Sequence, residues 1–276
     1  MLEIPEANHQ ANQLDRIIKH KTIQEVLVAH SPHKFAFFHE DPNDYPTMLF
    51  HKKITGASAY GGLIEIEAQD IRIVFGDSVN IRYIGHDQKK PEKHQLLLGF
   101  TDGSALVCFV SMYGGLWVFK EGSMKNHYYA IAKEKPSVLS DAFDWNYFWM
   151  MLENQKPTLS IKAVLATEQR IPGFGNGVLQ DVLYHAGMHP KTKLNEISDQ
   201  QRLKLYAVIK ETIKEMTDAG GRSTEKDIFG QQGGYPVIMA KHNLFKPCPT
   251  CNTLIVKEAY MGGNVYFCPT CQPLHR

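Results

Sequence analysis

Four cysteines near the end of the chain have the residue type and spacing of a metal site. Cys248, Cys251, Cys268 and Cys271 form two Cys-x2-Cys pairs separated by sixteen residues. Prolines beside them (Pro247, Pro249, Pro269) mark tight turns, so both sulfurs of a pair can reach one tetrahedral centre at about 2.3 Å. The runs Thr253–Val256 and Val265–Phe267 between the pairs suit a hairpin. Four thiolates leave no open position, so the expected cofactor is one structural Zn2+ ion rather than a catalytic metal. The competing reading, two disulfides, needs an oxidising compartment. The fifth cysteine, Cys108, lies in the apolar run Ala105–Val110 and reads as a small buried thiol.

Two weaker candidates lie elsewhere. Gly173-Phe174-Gly175-Asn176 sits between two short helical patterns. Its glycines let backbone approach a ligand, and a helix starting at Asn176 offers free N–H groups and a dipole to an anion such as a DNA phosphate. The same residues also suit a plain helix-to-helix turn with an Asn cap. Glu3 and Glu6 stand one helical turn apart at a helix start, where carboxylates also serve simply to complement the dipole. The thirteen histidines show no metal-binding spacing.

These residues need elements to hold them. Residues 3–20 read as a helix, with Ala7, Ala11, Leu14 and Ile18 on one face and Ile17 beside them. From about 23 to 132 the pattern changes to short strands, among them Leu63–Ile66 and Ile71–Phe75. Gln95–Phe100 and Ala105–Val110 flank the turn signal Thr101-Asp102-Gly103-Ser104. Lys133–Ser137 reads as a linker. Helices are expected over about 139–154, 160–168, 177–187 and 199–218; Ser198 with Gln201 resembles a capping box for the last, and Gly220-Gly221 ends it. Residues 221–236, rich in glycine and polar side chains, read as a long flexible loop. The expected class is α+β: a β-sandwich with a leading helix over 1–132, a helical domain over 133–240, and a metal-binding hairpin over 241–276.

The length, 276 residues, allows such a division, and 43% hydrophobic residues fit a soluble globular chain. No apolar run approaches the roughly 18 residues of a membrane span, and residues 1–6 lack a basic segment before an apolar run, so a cytoplasmic protein is expected. Net charge is only +1. The last segment, with Lys241, Lys246, Lys257 and Arg276 against Glu258, is mildly basic, so affinity for phosphate must come from placement rather than total charge.

The order of the motifs resembles one family. Met1-Leu2-Glu3-Ile4-Pro5-Glu6, then Gln169–Asn176 with Ala186-Gly187-Met188-His189-Pro190, then the cysteine spacing, are similar to the formamidopyrimidine-DNA glycosylase and endonuclease VIII family along the whole chain. The resemblance implies a β-sandwich, a helix–two-turn–helix domain and a zinc-finger hairpin. It also implies a monomer that repairs double-stranded DNA, flipping a damaged base out of the stack. In such enzymes the N-terminal amine attacks C1′, a Schiff base forms, the base leaves and β-elimination can nick the strand. An α-amine is more often neutral at pH 7 than a lysine, which suits that task. By resemblance Glu3 matches the catalytic carboxylate, Glu6 a second acidic residue and Met1 the terminal amine. Gly175 and Asn176 match the phosphate grip, Met112 and Tyr113 the wedge loop, and Gly263 with Asn264 the finger tip.

The chain departs from the pattern where the lesion is handled. The family carries proline or valine after the initiator Met; here Leu2 should block removal of Met1, which moves the amine by one residue, at most ~3.6 Å of chain. The finger's phosphate-gripping arginine is replaced by Gly263. No lysine stands in Ile54–Gly62, and the wedge loop Ser111–Gly115 lacks its arginine. Two functions follow. One is a DNA glycosylase, with or without abasic-site lyase activity, using Glu3 and either Met1 or an internal lysine. The alternative is a catalytically inactive protein that binds damaged or structured DNA. A remoter third reading makes the hairpin a protein-interaction module.

Overall fold

Helix α1 (Ile4–Ile18) begins with Pro5 in its first turn, where a missing N–H costs nothing, and buries Ala7, Ala11, Leu14 and Ile18 along one face. The computed structural model describes residues 1–274; Arg276, counted above in the basic tail, lies outside them. The strand-rich half follows: β1 (Ile23–Val28), β2 (Ala36–Phe38), a short α2 (Tyr45–Leu49), β3 (Ile54–Tyr60), β4 (Leu63–Ala68), β5 (Ile71–Phe75), β6 (Val79–Ile84), β7 (Leu96–Phe100), β8 (Ala105–Val110) and β9 (Gly114–Lys120). Two sheets form, in the orders β1-β7-β8-β6 and β2-β9-β5-β4-β3. All pairs are antiparallel except β2 with β9. Leu14, Ile66, Ile73, Phe75, Leu98, Leu106 and Val118 pack in one core between them. Cys108 lies in the same core, and burial pushes its thiol pKa up.

The helical half holds α3 (His127–Glu134), α4 (Trp145–Glu153), α5 (Ile161–Ala166), α6 (Asn176–Ala186) and α7 (Asp199–Asp218). Its core gathers Phe143, Phe148, Leu152, Leu179, Val182, Ile209 and Ile213, with Ile4 entering from α1. Helix α7 begins at the Ser198–Gln201 capping box that the sequence suggested. Two expectations need correction. Residues 127–132 are not strand or linker: Asn126 caps a helix there, and Tyr129 packs on Val74 and Phe119 of the sheet. The helix expected from 139 starts only at Trp145, because Asp144 caps it by accepting from the Tyr147 N–H.

The segment 221–236 is not the flexible loop expected from its composition. It is a strap sewn to both halves. Gln10 and Gln13 of α1 donate to the Lys226 carbonyl and the Asp227 carboxylate, and the Tyr83 N–H donates to the Ile228 carbonyl. Asp227 in turn accepts from the N–H groups of Phe229 and Gln231, closing the turn on itself. Glycine supplied tight turns here, not mobility. The chain ends in the hairpin of β10 (Val256–Tyr260) and β11 (Gly263–Phe267), which packs with Tyr184 of α6.

Candidate active site and nucleic-acid interface

The two halves meet at a glycine contact. Gly173 has φ +75°, and a Cβ there would collide with the backbone of Gly61 and Gly62 at the β3–β4 turn. The Gly173 carbonyl accepts from the Ile4 N–H at 3.1 Å. Beside this seam lies a cavity of about 420 Å³, whose wall includes Met1, Leu2, Glu3, Asp77, Tyr113 and Gly175. That size falls within the roughly 300–1,000 Å³ of small-ligand sites.

Glu3 is the buried carboxylate of this wall. Its two oxygens accept from the N–H groups of Gly177 and Val178 at 2.9 and 2.7 Å, the first turn of α6. The helix N-terminus therefore holds an anion, as the sequence suggested, but the anion is the chain's own Glu3. The expectation of free N–H groups for a phosphate is corrected at those two positions. Gly175 and Gly177 leave room for it: a Cβ on Gly175 would crowd the Glu3 carboxylate, and one on Gly177 would run into Arg222.

Arg222, on the strap, completes the cluster. It is buried, forks onto both oxygens of Glu6 at 3.0 and 2.8 Å, and stands 3.4 Å from Glu3. Burial raises the pKa of Glu3; Arg222 opposes that, and the Glu6 charge reinforces it. The Arg222 guanidinium is held firmly protonated by Glu3 and Glu6 against the cost of its own burial. Glu6 does not line the cavity: it anchors Arg222, whose backbone N–H it also accepts at 3.0 Å. Nothing in the sequence marked Arg222 as its partner, since 216 residues separate them.

The chain terminus is tied down. The Met1 amine pairs with Glu225 of the strap at 2.6 Å, and the Leu2 N–H donates to the Asp77 carbonyl at 2.7 Å. The Leu2 side chain is buried in the β core. No lysine is among the described residues lining the cavity, so Met1 carries its one primary amine.

The other site residues lie around this centre. Met112 and Tyr113 project at the β8–β9 turn, 56% and 40% exposed, with Tyr113 on the cavity wall. The Asn176 amide donates to the Asn264 carbonyl at 3.0 Å, joining α6 to the hairpin tip, and its buried oxygen has no partner among the described residues. Gly263 is exposed at the start of β11; Lys162 of α5 reaches beneath it and donates to the Tyr260 carbonyl. Lys52, near the β3 segment, is engaged by Asp70. The four cysteine sulfurs lie within 4.8 Å of one another, with separations of 3.8 Å for Cys248–Cys271 and 3.4 Å for Cys251–Cys268. A tetrahedron of 2.3 Å metal–sulfur bonds has edges of about 3.8 Å, so the set fits zinc and is far from disulfide length.

A leading helix on a β-sandwich, a helix–two-turn–helix unit and a four-cysteine hairpin define a class of two-domain proteins. Comparison places the chain within it. Residues 135–227 match the model of the formamidopyrimidine-DNA glycosylase H2TH domain. Curated formamidopyrimidine-DNA glycosylases of Bacillus subtilis (strain 168) and Shouchella clausii (strain KSM-K16) are 26% and 28% identical, over 99% of both chains in each case. Among solved structures, a Lactococcus lactis Fpg in complex with DNA containing an abasic site superposes with a TM-score of 0.84 at 22% identity, covering 99% of this chain and 100% of that one. The MutM (Fpg) protein of Thermus thermophilus gives 0.82 at 18% identity, with the same coverage. The chain thus carries a match to this H2TH domain and is similar along its whole length to formamidopyrimidine-DNA glycosylases, whose fold it shares.

Proposed function

We propose that this protein is a DNA glycosylase of the base-excision-repair type, removing damaged bases from double-stranded DNA. The observation that carries the reading is Glu3: a buried carboxyl, raised in pKa, on the wall of a cavity large enough for an extruded base. A carboxyl in that state gives a proton to a departing base. The curated relatives named as glycosylases, and solved relatives bound to abasic-site DNA, support the same reading.

The remaining residues take supporting roles. Met112 and Tyr113 fill the gap left by the extruded base, while Asn176, Gly175, Gly263 and Asn264 lie along the phosphate path. Cys248, Cys251, Cys268 and Cys271 hold one structural zinc, which fixes the hairpin against α6 and supplies no chemistry. The working unit is a monomer. Abasic-site lyase activity would require the Met1 amine to leave Glu225.

That ion pair favours a second reading, a damaged-DNA binder without catalysis. One assay separates the two. Duplexes carrying a formamidopyrimidine guanine, an 8-oxoguanine or an oxidised pyrimidine are incubated with the protein, and free base is followed by chromatography, with strand nicking scored separately. The enzyme reading expects base release from at least one duplex. Nanomolar binding with no base released from any of them overturns it and leaves the binder.

A further inference from the structure

The cavity holds a second carboxyl that the resemblance does not assign. Asp77 sits in the turn between β5 and β6 with φ +59°, a left-handed conformation uncommon outside glycine, asparagine and aspartate. Its carbonyl is committed to the Leu2 N–H, which places it next to the residue preceding Glu3. Its side chain is open to the cavity and makes no hydrogen bond or ion pair among the described residues. Asp77 is an exposed residue of the cavity wall, and partial loss of water around its carboxyl raises its pKa. The other titratable groups on that wall are Met1, Glu3, Tyr113 and Tyr128.

Amine chemistry is poorly served in the same cavity. The Leu2 nitrogen is a peptide N–H that donates to the Asp77 carbonyl, the Met1 amine is engaged by Glu225, and no lysine is among the described residues of the wall. Glu3 and Asp77 line one cavity, and two carboxyls in one site can serve hydrolysis by water, one protonating the leaving group and the other taking a proton from the attacking water.

We propose that Asp77 is the catalytic base of a hydrolytic glycosylase, activating water against C1′ while Glu3 protonates the departing base. The inference rests on the glycosylase reading above. The water oxygen bonds to C1′ as its proton passes to the Asp77 carboxylate. The C1′–N bond breaks, its electron pair leaves with the base, and the base takes the Glu3 proton. Asp77 then returns its proton to solvent and Glu3 regains one. One water is consumed, and the products are a free base and an unbroken abasic strand, with no Schiff base.

The test uses the full-length protein and the same three duplexes. Asp77→Asn retains a side chain that tolerates the left-handed backbone, and thermal melting checks its fold. Expected is a fall of about 100-fold or more in single-turnover base release, with affinity for a tetrahydrofuran-containing duplex within about twofold of wild type. Borohydride added to the wild-type reaction is expected to trap no protein–DNA adduct. Base release by Asp77→Asn within about threefold of wild type overturns the assignment, as does a Met1-linked adduct forming at the rate of base release. If wild type releases base and either of these is seen, only the role of Asp77 falls. If wild type releases no base, the enzyme reading falls with it.

Discussion

Arg222 and Glu6 carry more of the site than their positions in the sequence advertise. Arg222 is buried against two carboxylates, so removing its charge leaves Glu6 with no countercharge in a dry environment. Arg222→Met is expected to lower stability by about 3–5 kcal/mol, read as a shifted urea midpoint at unchanged slope. A smaller loss would mean that water reaches Glu6. Glu3 was visible from the chain start and from its resemblance; that its carboxylate caps α6 was not, because the contact joins residues 174 positions apart. Asp77 had no signal at all. A single aspartate in a turn is ordinary, and only the cavity around it gives it meaning.

Elements show the same division between local and distant causes. Helix α7 was legible because the Ser198–Gln201 box and its apolar spacing are both local. Helix α3 was missed because its eight residues hold by packing Tyr129 on the sheet. The strap was misread because its glycine and amide content describes turns as well as it describes mobility. The start of α6 gives a test of opposite sign to helix propensity. Gly177→Ala should stabilise an isolated helix by up to about 1 kcal/mol, but here the new methyl meets Arg222 and Glu3. A net loss of about 2 kcal/mol or more is expected in chemical unfolding, together with reduced base release. A second test concerns the β7–β8 hairpin, where Lys21 and Ser104 hydrogen-bond Asp102; against partial desolvation they hold its carboxyl down at about 2. A depressed carboxyl stabilises the fold above its unfolded value near 4 and loses that contribution as pH falls towards 2. Asp102→Asn should therefore flatten the acid limb of thermal stability between about pH 4 and 2; an unchanged limb would show that the contact contributes nothing.

At the scale of the molecule, the seam between the halves is built from chain ends as much as from surfaces. The first residues lie on the cavity, the strap crosses from α7 to β6, and the hairpin closes on α6 through Asn176 to Asn264 and Gln180 to Tyr266. Asp181 of α6 adds to that closure, accepting from the Ile238 and Met239 N–H groups on the approach to the hairpin. The hairpin owes its shape to the four cysteines, which were fully legible from spacing. Metal analysis should find one zinc per chain. Stripping it with a chelator should weaken duplex binding by roughly tenfold or more, because a hairpin held by four metal-bound thiolates would lose its shape. Binding that survives full removal would show that α6 and the sheet suffice.

The central claim is that Glu3 gives a proton to a departing damaged base. Glu3→Gln keeps the shape and removes that proton. Single-turnover base release from an oxidised-base duplex is expected to fall by about 100-fold or more, with duplex affinity within about threefold of wild type; the new amide turns an N–H towards the Gly177 or Val178 N–H, so the melting temperature falls and the rates are compared well below it. A glutamine variant that releases base at the wild-type rate would contradict the account.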